Sequence, residues 1–260
     1  ARGGAHLLRT QAGFYGGVRT YADQLKVYAC MASAFPEFAQ ELEGLKVLAV
    51  QGGNLPGVLT RDRRVRSLED FRGLRLRAPS ELTGLLATLG ADPVNMPMGE
   101  VYSALAKGVI DGVVAPADTL RSLHFTEVAK HFTQARIARG AYPARAMSMK
   151  TWEQLTPDQQ AVLERSVTVW EEAMMRLISE ADAVGEAFGR EQGTDFIAFP
   201  EAEQEKLDQL YNDEAMKAAR ELRLGDADAV TVFGFAQDYI GRLEGDPSAP
   251  CEPGRAGDGS

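Results

Sequence analysis

The sequence predicts an α/β protein with two lobes joined by one long helix. Between residues 67 and 114, strand-like and helix-like segments alternate, which is the pattern of an α/β domain. From residue 157 to 192, apolar residues recur at steps of three and four, which indicates one unusually long helix that can tie two lobes together. The length of 260 residues, with 45% hydrophobic and 25% charged side chains, is ordinary for a soluble globular protein with one large or two modest domains.

The central block begins with a capped turn. Ser67 is a typical N-cap, and Gly73 ends the turn. Residues 74–77 then alternate apolar and polar side chains, which predicts a half-buried strand. Ser80 is the expected N-cap of the next helix.

The block continues with a short strand at residues 93–96 and a helix from Pro97 to Gly108. The side chain of Tyr102 on that helix is expected to pack in the protein core. The near-continuous apolar run at residues 109–114 predicts a strand that is covered on both faces.

The remaining elements follow from local signals. Residues 131–137 and 144–149 predict strands, and Thr156 with Gln159 forms a capping box at the start of the long helix. After the long helix, the sequence predicts a strand at 195–199 and helices after Pro200 and at 226–243. Towards the amino terminus, residues 35–42 predict a helix and 45–50 a strand, whereas residues 1–30 show no clear period.

Charge and cysteine content exclude several classes of protein. With 37 acidic and 28 basic residues the net charge is -9, which is unfavourable for binding nucleic acid or an anionic membrane. No stretch approaches the roughly 20 apolar residues of a membrane helix. Cys30 and Cys251 are far apart, and Cys251 lies in a tail rich in Gly, Pro and Ser, so we expect no disulfide between them. Residues 1–4 do not open a signal peptide, so the sequence alone does not assign a compartment.

No catalytic signature is present. The glycines at positions 52, 53 and 57 predict a turn and lack the lysine–serine pair of a phosphate-binding loop. His124, Glu127 and His131 could share one helix face, but His131 is expected to begin a strand, which breaks that face. We therefore expect no catalytic residue, no metal and no cofactor.

Arg77 is the main candidate for ligand binding. It ends a predicted strand, on the face opposite Leu74 and Leu76, and in open α/β sheets ligands bind at such strand ends. A guanidinium can hold a carboxylate through two parallel hydrogen bonds, which lysine cannot do. The alternative is an arginine that faces solvent, as is expected for its neighbours Arg61, Arg63, Arg64, Arg66, Arg72 and Arg75.

Three segments resemble one protein family. Residues 67–79 (SLEDFRGLRLRAP), 89–94 (LGADPV) and 100–112 (EVYSALAKGVIDG) are similar to the DctP-type substrate-binding proteins of TRAP transporters, and the resemblance extends over residues 45–243. It implies a periplasmic-binding-protein-like fold whose two lobes close over a small organic acid. It also implies a periplasmic location, delivery of the acid to a membrane permease, and pairing of Arg77 with the ligand carboxylate.

The resemblance sets the expected domain limits. The first lobe would comprise residues 1–75 with part of 150–245, its amino-terminal elements being incomplete by comparison with the family. The second lobe would have its core at 76–150, with the connecting helix at 157–192 and a disordered tail at 245–260.

Four further residues are candidate ligand contacts. Asn54 stands where relatives carry a polar or basic ligand residue, Asp118 where some carry an acidic or aromatic contact, and Ser148 where asparagine or serine is common; Ser80 follows Arg77 in the same loop. The predicted function is uptake of an organic carboxylate without catalysis. A binding module coupled to a sensor, and an enzyme on a similar two-lobe scaffold, are the alternatives, and the long helix leaves a homodimer open.

Overall fold

The computed structural model describes residues 14–221 and 228–252, which divide into two units. Unit 1 comprises residues up to 53, 139–176 and the chain from 215 onwards; unit 2 comprises 54–138 and 177–214. The first crossing between units therefore falls at residues 53–54, whereas the sequence placed the boundary after residue 75.

From residue 35 onwards the predicted elements appear in the predicted order, with ends that differ by a few residues, whereas the helix Tyr21–Ala34 lies mostly where the sequence shows no clear period. The helices are α1 (Tyr21–Ala34), α2 (Glu37–Glu41), α3 (Thr83–Thr88), α4 (Met98–Ala106), α5 (Thr119–Ser122), α6 (Met149–Glu153), α7 (Pro157–Glu191), α8 (Glu201–Glu221) and α9 (Ala229–Gly245). The strands are β1 (Leu45–Gln51), β2 (Gly57–Thr60), β3 (Arg75–Arg77), β4 (Asp92–Val94), β5 (Gly112–Ala115), β6 (His131–Thr133), β7 (Tyr142–Ser148) and β8 (Asp195–Ile197).

Unit 1 combines a two-stranded sheet with a helical core. β1 pairs with β7 in antiparallel register, Leu45 opposite Ser148. The first part of α7 is tied to β1, since Lys46 Nζ lies 2.9 Å from Glu164 Oε1. The core lies mainly between α1 and α9, and its largest members include Phe14, Tyr15, Met31, Phe38 and Phe233.

Unit 2 is built on a six-stranded sheet of order β4-β3-β5-β2-β6-β8. β3 runs parallel to β4 and β5, whereas β2 is antiparallel to β5 and β6. Because successive side chains of a strand point to opposite faces, two cores form. Val58 and Val114 belong to the core covered by α3 and α8, and Leu59 and Val113 to the core covered by α4 and α5.

The long helix is confirmed as α7, with the predicted capping box at its start. Gln159 N–H donates to Thr156 Oγ1 at 3.3 Å, and Thr156 N–H donates to Gln159 Oε1 at 2.9 Å. Its residues 157–176 belong to unit 1 and 177–191 to unit 2. Several members of the apolar series that predicted this helix are exposed, among them Val162, Leu177 and Val184.

The expectation that the two cysteines stay unpaired is wrong. Cys30 on α1 and Cys251 form a disulfide, with Cα atoms 5.4 Å apart. After α9 the chain folds back, and Lys26 Nζ donates to Pro247 O at 2.7 Å while Arg242 Nη1 donates to Pro250 O at 3.0 Å. Residues 246–252 are thus held in place, contrary to the predicted disorder from 245; residues 253–260 of that prediction lie outside the described residues.

Three local expectations in unit 2 are also wrong. Tyr102 is 37% exposed, because it lies on the outer side of α4, where its hydroxyl donates to Glu127 Oε2 at 2.6 Å. Val109 is exposed and precedes β5 instead of belonging to it. Ser80 is not an N-cap: it begins a short 3-10 turn, Ser80–Leu82, whose cap position is Pro79.

Candidate functional site

Three of the candidate residues of unit 2 follow or precede strands at the same end of its sheet. Arg77 ends β3, and Asp118 comes three residues after the end of the parallel strand β5. Asn54 precedes β2, whose first residue Gly57 is paired with the last residue of β5, Ala115. The carboxyl ends of β3 and β5 therefore lie beside the amino end of β2. This topology places Arg77, Asn54 and Asp118 at the carboxyl ends of the parallel strands, where α/β sheets bind ligands.

Arg77 is a half-buried cation with one fixed hydrogen bond. Its Nε donates to the carbonyl of Met96, just after β4, at 3.1 Å. The guanidinium forms no ion pair with a carboxylate anywhere in residues 14–221 and 228–252. Burial lowers the pKa of the Arg77 guanidinium, and the charge of Glu81 opposes this effect. Since a desolvated charge is costly without a counter-ion, this arrangement favours binding of an anion.

Asn54 is fixed by the second part of α7. Its side-chain Nδ2 donates to the main-chain carbonyl of Ile178 at 2.7 Å. The amide therefore anchors the loop before β2, and its nitrogen is already engaged.

Asp118 lies beside a second carboxyl group that the sequence analysis missed. Asp182 on α7 accepts the Asp118 N–H at 3.0 Å. Burial raises the pKa of Asp182, while the hydrogen bond from Asp118 N–H opposes the shift and the charge of Asp118 adds to it. Nothing local in the sequence indicates this contact, because the two residues are 64 positions apart.

The two serines have different surroundings. Ser80 is exposed in the loop after Arg77, and its Oγ lies 3.4 Å from Glu81 Oε2. Ser148 belongs to unit 1, where it is the N-cap of α6 and accepts the Thr151 N–H at 3.1 Å. The structure thus gives Ser148 a structural contact.

The glycine and aspartate of the motif at residues 100–112 hold the sheet together. Asp111 Oδ2 accepts the Arg75 N–H at 2.8 Å, at the start of β3. A Cβ on Gly112 would lie 2.3 Å from the Leu59 carbonyl oxygen, so only glycine fits there. Both residues shape the strands that present Arg77.

Unit 1 contains an aromatic and basic cluster that the sequence analysis also missed. The Arg145 guanidinium lies 4.8 Å from the centre of the Trp170 ring, within range of a cation–π contact. Tyr21 is buried nearby, and burial raises the pKa of its hydroxyl. The charge of Glu171 adds to this shift, whereas that of Arg139 opposes it. The alternating pattern of β7 points to a strand but does not reveal that α7 brings Trp170 against it.

The histidines do not converge. His124 lies 3.7 Å from Glu127, whereas His131 on β6 contacts Asp195 at 3.1 Å. In the part of the chain that the structure describes, no group of three or more His, Cys, Asp or Glu side chains is arranged to hold a metal ion.

Comparison with known proteins identifies a family. The family model described as "Bacterial extracellular solute-binding protein, family 7" (DctP) matches residues 22–221. Among curated relatives, the sialic acid-binding periplasmic protein SiaP of Vibrio cholerae is 28% identical over 158 residues, covering 59% of this chain and 49% of that protein. The C4-dicarboxylate-binding periplasmic protein DctP of Rhodobacter capsulatus is 34% identical over 101 residues, covering 38% and 30%. The matched segment spans about half the length of the first curated relatives.

Solved structures share the fold. A TRAP solute-binding protein from Rhodoferax ferrireducens, in complex with copurified benzoate, has a TM-score of 0.76 and 18% sequence identity, covering 95% of this chain and 85% of that one. This likeness confirms the two-lobed α/β fold class with its long helix.

Proposed function

Because the chain belongs to the bacterial extracellular solute-binding protein family 7, we propose that it captures a small organic carboxylate and delivers it to a TRAP-type membrane permease. The ligands named for the three similar proteins, sialic acid, C4-dicarboxylate and benzoate, are all acids. In this proposal the chain binds and releases its ligand without catalysis.

The observation that supports a carboxylate most directly is the state of Arg77. Its Nε is held by the Met96 carbonyl, which fixes the plane of the guanidinium, and its charge has no carboxylate partner in the described residues. A ligand carboxylate would supply the missing counter-ion through charge-assisted hydrogen bonds to the remaining N–H groups. Partial burial strengthens such bonds, because fewer water molecules compete for the same donors.

The neighbouring residues would define the rest of the ligand. An amide, a carboxylate and a hydroxyl group lie at or near this end of the strands, on Asn54, Asp118 and Ser80 respectively. Of these, Asp118 suits a hydroxyl or ammonium group of the ligand, since a second carboxylate beside it would be repelled. Ser148 contributes least to the proposal, because its Oγ already accepts a backbone hydrogen bond.

The disulfide supports a periplasmic location. Disulfides persist in oxidising compartments and are rare in the cytosol, so the bond between Cys30 and Cys251 agrees with an extracytoplasmic protein. Among the described residues, none of the helices combines the length and apolarity needed to cross a bilayer. The homodimer that the long helix leaves open stays a prediction.

Thermal unfolding with benzoate, succinate and N-acetylneuraminate tests the proposal. A ligand at about 100 times its Kd stabilises by about 2.7 kcal/mol, which for a chain of this size raises the Tm by roughly 5–10 °C. Arg77→Ala should reduce the shift to about half or less, since losing a charge-assisted hydrogen bond costs about 1.5–3 kcal/mol of binding free energy. Arg77→Lys should retain more of the shift than Arg77→Ala does.

Arg75→Ala is the matched control. Arg75 lies on the same strand, is half exposed and pairs with Asp92 at 3.4 Å, so its loss removes the same charge two residues away. An unreduced shift in Arg77→Ala, or an equal reduction in Arg75→Ala, contradicts the role of Arg77. If none of a wider panel of organic acids raises the Tm, the proposed carboxylate specificity is wrong.

A further inference from the structure

We propose that unit 2 has a second anion site, specific for a phosphate group, at the opposite end of its sheet from Arg77. The site is a cleft of about 250 Å³, which we call the arginine cleft; Arg61, Arg63, Arg72, Gly73 and Asp111 are among the residues that line it. This proposal is independent of the proposed carboxylate site.

The position of the cleft follows from the strand register. Leu76 pairs with Gly112 in parallel register and Thr60 pairs with Gly112 in antiparallel register, so the starts of β3 and β5 meet the end of β2. Arg61 N–H donates to Asp111 O at 2.9 Å, which joins the end of β2 to the residue before β5. Three strand steps separate Leu74 from Arg77, which is about 10 Å. The two sites are therefore distinct.

Two guanidiniums in the cleft form no ion pair with a carboxylate of the described residues. Arg63 Nη1 donates to the carbonyl of Arg72 at 2.8 Å, which fixes that side chain. Arg61 packs so closely against the main chain of Gly108 that a Cβ there would lie 2.4 Å from Arg61 Nη1. Neither Arg61 nor Arg63 is ion-paired with a carboxylate of residues 14–221 or 228–252.

The acidic groups of the cleft are already engaged. Asp62 accepts a hydrogen bond from Lys130 Nζ at 2.6 Å, and that bond lowers the pKa of Asp62. Asp111 Oδ2 accepts the Arg75 N–H at 2.8 Å. The residues that line the cleft carry three positive charges, those of Arg61, Arg63 and Arg72, and two negative charges, those of Asp62 and Asp111. Asp70, outside the lining, also interacts electrostatically with Arg63.

Phosphate fits this arrangement better than a single carboxylate does. Two guanidiniums offer separate N–H forks, and the tetrahedral oxygens of a phosphate can accept from both, whereas one carboxylate is satisfied by one fork. The phosphate group could belong to free phosphate or to a phospholipid headgroup. Both sources present unesterified phosphate oxygens that can accept hydrogen bonds from Arg61 and Arg63.

Titration calorimetry with inorganic phosphate, at constant ionic strength in chloride, tests the free form. We expect saturable binding that weakens by about tenfold or more in Arg61→Ala and in Arg63→Ala, as expected for the loss of charge-assisted hydrogen bonds. Arg66→Ala is the matched control, since Arg66 is exposed, belongs to the same segment and does not line the cleft. It should change the Kd by less than about twofold.

Cosedimentation with vesicles distinguishes the lipid source. Binding to phosphatidylglycerol vesicles that is lost in Arg63→Ala and kept in Arg66→Ala assigns the site to a headgroup. Absence of saturable binding to both probes overturns the proposal, as does equal weakening in Arg63→Ala and Arg66→Ala, which would indicate only net charge. Arg77→Ala should bind phosphate normally, so this result is separate from the carboxylate experiment.

Discussion

Replacing Gly185 with alanine should destabilise unit 2, although alanine is the better helix former. Gly185 lies on α7, where a Cβ would be 2.3 Å from the Ala117 carbonyl oxygen and 2.5 Å from Asp118 Cα. Ordinary contacts between heavy atoms are about 3.5 Å, so the helix and the loop would have to separate by about 1 Å.

The loop at residues 117–118 cannot move without loss. Asp118 N–H donates to Asp182 Oδ1 at 3.0 Å, and Leu120 N–H donates to Ala117 O at 3.1 Å. Overpacking costs about 1–3 kcal/mol and a weakened hydrogen bond about 1 kcal/mol more. The gain in helix propensity is about 1 kcal/mol. The free energy of unfolding should therefore fall by about 2 kcal/mol in Gly185→Ala.

Two other helical glycines provide a graded comparison. At Gly189 the nearest atoms are side-chain ends, Leu120 Cδ1 at 2.7 Å and Phe196 Cζ at 3.1 Å, which can rotate away, so Gly189→Ala should cost less. At Gly234 on α9 nothing lies within 4 Å, and Gly234→Ala should stabilise by about 1 kcal/mol. Urea unfolding followed by far-ultraviolet circular dichroism measures all three. If Gly185→Ala is as stable as Gly234→Ala, the close packing of α7 on the loop is refuted.

Two further predictions concern stability. Reducing the bond between Cys30 and Cys251, or replacing both with alanine, should lower the free energy of unfolding by about 2–5 kcal/mol, and an unchanged urea midpoint with and without reductant would show that the bond is absent or unimportant. Hydrogen bonds from the N–H groups of Arg66 and Ser67 lower the pKa of Asp70, so its contribution is present above the unfolded value of about 3.9 and is lost as pH falls towards the lower folded pKa. Asp70→Asn should flatten the dependence of stability on pH below about 4, and a slope equal to that of the wild type would contradict this assignment.

The parts of the fold that depend on neighbours in sequence could be predicted from the sequence. The N-cap at Ser67 and the capping box between Thr156 and Gln159 depend on residues at most three positions apart, and the structure contains both. Periodicity located the long helix and most strands for the same reason. The position of Arg77 at the end of a strand was likewise evident from a short alternating segment.

Periodicity was less informative about which apolar or aromatic residues are buried. Tyr102 fits the apolar pattern of its helix but is partly exposed and contacts Glu127, because the helix presents its other side to the sheet. Val162 on α7 is exposed although it belongs to the apolar series that predicted the helix. A pattern identifies the element, whereas burial depends on what packs against it.

By itself, the sequence determined the α/β class, the long helix and a guanidinium at a strand end, since each rests on bonds and side-chain directions within a few residues. Tertiary structure alone decided the partners of that guanidinium, the pairing of Cys30 with Cys251, and the approach of Asp182 to Asp118. These contacts join residues that are far apart in the chain. Their formation depends on how strands and helices pack, which local spacing does not encode.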